Sequence, residues 1–325
     1  MSIPVEAFIL EITGASSVTQ LEVIQRLWRG YGHIVRYGIT GCEWGSVIVK
    51  HIQLPKSVRL TEGFENNLSH QRKVHSYQVE TVWYKDWSRQ CDTDCRVPRC
   101  LASTALNDEV LIILEDLDAA GFSHRRSRAS AEDMQACLSW LAHFHATFIG
   151  QAPTGLWPIG TYWHLDTRPD ELQALHDIPL KNAAAAIDQK LRASPYQTLV
   201  HGDAKLANFC FSKQENRVAA VDFQYVGGGC GIKDVAYFID SCLDEEQCQR
   251  QESHLLEVYF EALRFALKRQ RKTVDADAIE QDWRALYPVA WTDFHRFLKG
   301  WSPGHWSSNS YSERLAREVV AQLQH

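Results

Sequence analysis

Five consecutive apolar residues, Val110-Leu111-Ile112-Ile113-Leu114, stop abruptly at Glu115-Asp116-Leu117-Asp118. A short unbroken apolar run reads as a buried strand, and here it marks a change of texture. Upstream, residues 21–28 and 33–40 are strand-compatible and flank the turn Gly30-Tyr31-Gly32. A second turn, Gly41-Cys42-Glu43-Trp44-Gly45, leads into a β-branched third strand, Ser46-Val47-Ile48-Val49-Lys50-His51-Ile52. Residues 68–88 have helical length and contain neither Pro nor Gly. Downstream, Ser130 with Asp133 forms a capping-box signature ahead of Met134, Cys137, Leu138, Leu141 and Phe148, which share one helix face. Residues 218–221 form another short apolar strand, and from Val235 onward the pattern is mainly helical and rich in aromatics. The expectation is an α+β chain with a sheet-rich lobe over residues 1–116 and a larger helical lobe over 117–325.

Composition narrows the function classes. The chain has 325 residues, 45% hydrophobic and 23% charged, with a formal net charge of −6. That balance offers no footprint for nucleic acid, and a polyanionic ligand would need positive charge concentrated at one site. No stretch approaches the roughly 18 apolar residues of a membrane helix. Met1 to Ile12 lacks a basic leader region and carries Glu6 and Glu11, unlike a signal peptide. Nine cysteines without a regular framework read as reduced thiols of a cytoplasmic protein. Cys91, Cys95 and Cys100 cluster, but their spacing fits no common zinc pattern.

The segment His201-Gly202-Asp203-Ala204-Lys205-Leu206-Ala207-Asn208, followed by Asp222 at the end of a short strand, carries the chemistry. Phosphoryl transfer asks a protein for a carboxylate near the acceptor hydroxyl, oxygen ligands for Mg²⁺ and cations on the phosphates. Asp203 suits the first role, Asn208 and Asp222 the second, and Lys205 can reach the γ-phosphate. Asn and Asp oxygens match a hard ion that keeps several waters. A capped turn with a core histidine at His201 is the bland reading of the same residues. The constellation resembles the catalytic loop and metal-binding Asp of the protein-kinase superfamily, in the small-molecule branch that carries His-Gly-Asp for His-Arg-Asp.

The resemblance spans roughly residues 20–305 and is to the group of aminoglycoside phosphotransferases, choline kinases and ecdysteroid-kinase-like proteins. LWRGYGHIVR, LEDLDAAGF, HGDAKLANF, VDFQYVGGGCGIKDVAYF and FLKGW are most similar to the last of these. It implies a bilobal protein-kinase-like fold with an antiparallel-sheet N-lobe, and ATP and Mg²⁺ as cofactors. It implies that Lys50 pairs the α/β-phosphates and that Glu80 in the following helix is its partner, with Glu65 as the other available acid. It places Arg29, Gly30 and Gly32 in the phosphate-covering loop, although the third glycine of the kinase pattern is Val35 here. The stretch from Ile112 to Asp118 resembles the hinge, where the backbone of Glu115 and Leu117 meets adenine. Two departures stand out: Phe-Gln follows Asp222 where protein kinases have Phe-Gly, and Lys205 stands where many antibiotic kinases have His.

The link from Asp222 to Asp234 is short and glycine-rich, with no room for a peptide-presenting activation segment. The acceptor is therefore read as a small-molecule alcohol; the resemblance implies that Asp234 holds the catalytic-loop backbone, with an exposed helix N-cap as its bland reading. Trp283, Tyr287, Trp291, Phe294, Phe297, Trp301 and Trp306 are either core or an aromatic cage for a quaternary ammonium. His295 and Arg296 offer a polar or anionic acceptor a different face. A choline, amino-alcohol or antibiotic kinase is the narrower reading. A catalytically silent pseudokinase and a metal-dependent hydrolase are rivals of other classes.

Overall fold

A computed structural model describes residues 3–54, 64–106, 108–213, 217–303 and 310–324; for residues 64–67 it describes backbone alone. Residues 1–92, 96–125 and 210–221 form one compact unit, and residues 93–95, 126–209 and 222–325 form the other.

The first unit contains α1 (Val5–Thr13), β1 (Ser17–Arg26), β2 (Gly32–Thr40), β3 (Ser46–Gln53), α2 (Phe64–Val82), β4 (Cys100–Leu106) and β5 (Glu109–Glu115). Its five strands form one antiparallel sheet in the order β1-β2-β3-β5-β4. Successive side chains of a strand point to opposite faces, and here each face has a cover. Val47, Val49, Leu111 and Ile113 pack with Ile3 and Ile9 on the α1 side. Ile52 packs with Leu27, Tyr31 and Tyr77 of α2 on the other. Burial on both faces explains the unbroken apolar run of β5.

Three features differ from expectation. Helix α1, with Ile9 fully buried, lies in a stretch without a strong sequence signal. Strand β1 begins at Ser17 because backbone pairing of Ser17 with Thr40 imposes the strand on polar residues, and two register shifts interrupt it. The helix expected to reach residue 88 ends as α2 at Val82, then loosens into a π-turn over Trp83–Trp87 and a 3₁₀ turn over Ser88–Gln90. Trp83, Tyr84 and Trp87 are buried there.

The second unit contains α3 (Ala131–Phe148), α4 (Pro169–Ala174), α5 (Ile178–Arg192), β6 (Thr198–Val200), β9 (Gly227–Gly229), α6 (Ile232–Cys242), α7 (Glu245–Arg269), α8 (Ala276–Trp301) and α9 (Tyr311–Leu323). Between β6 and β9 in the chain lie β7 (Phe209–Phe211) and β8 (Val218–Ala220), which pair with each other. β6 pairs antiparallel with β9. The expected cap of α3 forms: Ser130 Oγ accepts from Asp133 N, and the Asp133 carboxylate accepts from Ser130 N, each at 3.1 Å. Helix α8 packs against α5, α6 and α9. Trp283, Tyr287, Trp291, Phe294 and Phe297 are buried there, whereas Trp301 is exposed; Trp306 lies outside the described residues. His295 and Arg296 are also buried, against Glu313 and Asp293. All nine cysteines are free. No described helix is long and apolar enough to cross a membrane.

Candidate active site

The loop after β6 takes its shape from a carboxylate in the first turn of α6. Asp234 Oδ2 accepts from His201 N at 2.6 Å, and Oδ1 accepts from Gly202 N at 2.9 Å. His145 of α3 lies behind it, with Nε2 at 3.2 Å from Asp234 Oδ2 and Nδ1 at 2.8 Å from the Tyr259 hydroxyl. Asp234, His145 and Tyr259 are fully buried. Gly202 has φ +79°, and a Cβ there would sit 2.1 Å from the Tyr225 carbonyl oxygen. Only glycine fits this left-handed position under a crossing backbone. His201 is a core residue: its ring packs on Phe223 at 4.6 Å and its Nδ1 accepts from Asp203 N.

Asp203 is 6% exposed, and both its oxygens are engaged. Oδ2 accepts from Lys205 Nζ at 2.9 Å and from Asn208 Nδ2 at 3.0 Å. Oδ1 accepts from the Tyr237 hydroxyl at 3.0 Å. Burial first, and then the Asp222 charge, push the Asp203 carboxyl above its ordinary range, against the pull of Lys205. Burial and the Asp203 charge push the Tyr237 phenol strongly upward, so it remains a donor. Tyr162 completes the group, with its ring 5.6 Å from that of Tyr237 in an edge-to-face contact. Tyr237, Tyr162 and His145 escaped the sequence reading. Tyr237 alone left a signal, since it lies one helical turn after Asp234 on the same helix.

Asn208 closes a 3₁₀ turn over Leu206–Asn208, and its Nδ2 also donates to the Asp203 carbonyl at 2.8 Å. With the amide nitrogen held there, its Oδ1 is directed away from Asp203. Asp222 adopts φ +68°, and its Oδ1 is buried without a hydrogen-bond partner among the described residues. A carboxylate oxygen in that condition wants a cation. Asn208 and Asp222 thus each offer an oxygen of the kind a hard divalent ion takes. No group of three or more His, Cys, Asp or Glu side chains among the described residues could hold a metal. An ion here would take its remaining ligands from a substrate or water.

The other expected site residues lie in the first unit. Lys50 and Glu80 are buried and meet at 2.5 Å, Nζ to Oε2, with Nζ 5.8 Å from the Tyr77 ring centroid. The Glu65 side chain lies outside the described residues. Arg29 and Gly30 belong to a 3₁₀ turn, with φ +50° and +75°, and the Arg29 guanidinium lies over Trp28 at 4.7 Å. Gly32 opens β2, and a Cβ there would overlap the His51 carbonyl oxygen at 1.9 Å. Glu115 is clamped by Arg96 at 2.5 Å and by Arg99 N at 3.0 Å, so its side chain is structural. The Leu117 carbonyl accepts from Phe122 N, and its side chain packs with Phe122, Cys210 and Ala219.

Asp240, on α6, is a half-buried carboxylate. Burial and then Glu245 push its carboxyl up from an ordinary 3.8 to about 7. A raised carboxyl binds its proton more tightly when folded, so its stabilising contribution is full below pH 3.8. It is lost as pH climbs through about 7. Asp240→Asn is therefore expected to melt higher than the wild type at pH 8 and nearly alongside it at pH 4, as scanning calorimetry would show. Equal differences at both pH values would contradict this.

The profile of the ecdysteroid kinase-like family matches residues 62–149 and 161–272. No curated protein matches. Among solved structures, an amicoumacin kinase in complex with AMP-PNP, Ca²⁺ and Ami is 16% identical. That match covers 94% of this chain and 87% of the other at a TM-score of 0.55. A microcompartment-associated aminopropanol kinase is 15% identical, with 98% and 93% covered and a TM-score of 0.49. An aminoglycoside-3'-phosphotransferase of type VIII is 15% identical, with 84% and 93% covered and a TM-score of 0.43. The first of these likenesses shows the fold, and it agrees with the expected class: α+β, bilobal and protein-kinase-like, with an antiparallel sheet in one lobe and mainly helix in the other.

Proposed function

The chain belongs to the ecdysteroid kinase-like family, and on that premise we propose that it moves the γ-phosphate of ATP to a hydroxyl of a small organic molecule. The observation that carries this reading is the Asp203 carboxylate, held from three sides by Lys205, Asn208 and Tyr237 in a loop whose backbone Asp234 secures. Phosphoryl transfer is mostly positioning and charge stabilisation. In this reading Asp203 orients the acceptor hydroxyl and takes its proton, while Lys205 meets the γ-phosphate. Lys50, oriented by Glu80, pairs the α/β-phosphates under the loop of Arg29, Gly30 and Gly32. The backbone of Glu115 and Leu117 meets adenine. Asn208 and Asp222 hold Mg²⁺, which when bound would neutralise charge developing on the phosphates. The nucleotide belongs to residues 1–116, and the catalytic loop, metal and acceptor to 117–325. We place the protein in the cytoplasm, acting on a small alcohol without nucleic-acid or membrane partners.

One observation favours a narrower acceptor. Asp240 lies one helical turn after Tyr237, whose hydroxyl donates to Asp203, so α6 carries a second carboxylate on the side of the base's partner. An amino group on the acceptor would pair with Asp240, which favours an amino alcohol.

Turnover of ATP with a panel of small alcohols and amino alcohols tests the reading and separates a kinase from a silent binder. Asp222→Ala is expected to abolish the Mg²⁺-dependent tightening of ATP binding in calorimetry while leaving the melting temperature close to that of the wild type. Identical ATP isotherms for both proteins, with and without Mg²⁺, would remove Asp222 from the metal site.

A further inference from the structure

Away from the catalytic loop, two buried cations of the second unit, Arg296 and Lys233, meet at one buried carboxylate, Asp293. Arg296 of α8 is 1% exposed. Its Nη2 donates to Asp293 Oδ1 at 2.9 Å and to the Trp163 carbonyl at 3.3 Å. Its Nε and Nη1 are buried and have no hydrogen-bond partner among the described residues. A guanidinium carries five N–H donors that cannot be given up by deprotonation. Three of them, one on Nε and two on Nη1, are therefore without an acceptor.

The nearest carboxylate is already shared. Asp293 Oδ2 accepts from Trp163 Nε1 at 3.1 Å and lies 3.5 Å from Lys233 Nζ. Lys233 is 2% exposed and stands 5.9 Å from the Trp163 ring centroid. Two buried cations thus divide one buried carboxylate. Asp188, also buried, is engaged at 3.5 Å by both His164 Nδ1 and Arg192. His164 lies beside the same group; burial first and then Lys233 hold it toward its neutral form, while Asp188, Asp293 and Asp166 pull the other way.

We propose that Arg296 and Lys233 hold a small monovalent anion of halide size inside the second unit. A buried cation that is incompletely paired is strongly destabilising, and water in its place would satisfy the donors without cancelling the charge. A halide accepts several N–H groups at once with little directional demand. The burial of Arg296, Lys233 and Trp163 leaves no opening for a bulky oxyanion. The ion would fasten α8 to the segment carrying Trp163, whose ring packs 4.9 Å from that of Tyr237.

The test is a melting series of the full chain in sodium chloride, bromide and gluconate at equal ionic strength. A ligand that binds only the folded state raises the melting temperature saturably, so a rise of a few degrees is expected in both halides and not in gluconate. Arg296→Met should abolish that dependence. If it does not fold, Lys233→Met should weaken the dependence, and bromide-soaked crystals of the wild type should show an anomalous peak within hydrogen-bond reach of Arg296 Nη1. Identical melting in all three salts, a halide effect that survives in Arg296→Met, or a water at that position in bromide would each overturn the site.

Discussion

Asp203→Asn is expected to lower kcat by about 10²–10⁴-fold, the usual worth of a positioned general base, with little change in ATP affinity. The hydrogen bonds around Asp203 indicate that this variant keeps its fold. Lys205 and Asn208 approach Oδ2 only as donors, so the carboxamide must keep its oxygen there. Its NH₂ then faces the Tyr237 hydroxyl, which can turn and accept. Stability should hold while the proton acceptor is lost. Steady-state kinetics with an acceptor found in the panel, on protein whose melting matches the wild type, decides the matter. Near-normal kcat would take Asp203 out of the chemistry and leave a binding protein.

The second large effect concerns stability. Asp234→Ala is expected to cost about 3–5 kcal/mol, the range for breaking a buried charged network. The cause is specific: the amides of His201 and Gly202 and Nε2 of His145 all lose their acceptor in the interior. An unpaired buried donor costs about 1–3 kcal/mol, and three neighbours are not additive. Urea unfolding should show an earlier midpoint with an unchanged slope. A loss under about 1 kcal/mol would mean that other contacts hold the loop.

Much of the geometry was legible where local pattern and chemistry coincided. The β5 run is apolar because both sheet faces are covered, and the α3 cap rests on neighbours three residues apart. Lys50 and Glu80 could be paired on paper because a resemblance supplied the long-range contact that spacing cannot. What remained hidden depends on partners distant in the chain. Strand β1 owes its polar first residues to pairing with β2. Tyr162 reaches the Asp203 group from a loop 41 residues upstream in the sequence, and His145 reaches Asp234 across 89 residues. Nothing local to either residue announces the contact. Arg296 was legible as a cation but not as a buried one, because the aromatic spacing of α8 does not reveal how much of the helix is enclosed.

The glycine run after Asp222 has the composition of a flexible tether, yet it is among the most tightly enclosed backbone in the second unit. Residues 227–229 form β9, and a Cβ on Gly227 would stand 2.3 Å from the Trp157 carbonyl oxygen. A Cβ on Gly231 would stand 2.7 Å from the Trp283 ring. These glycines supply compactness, not play. In kinases that are switched, a segment in this place passes between disordered and ordered states when it is phosphorylated. Here that segment is a short strand welded into the core, with no slack to toggle. On the proposed reading, a strand enclosed this way offers no order–disorder switch of that kind.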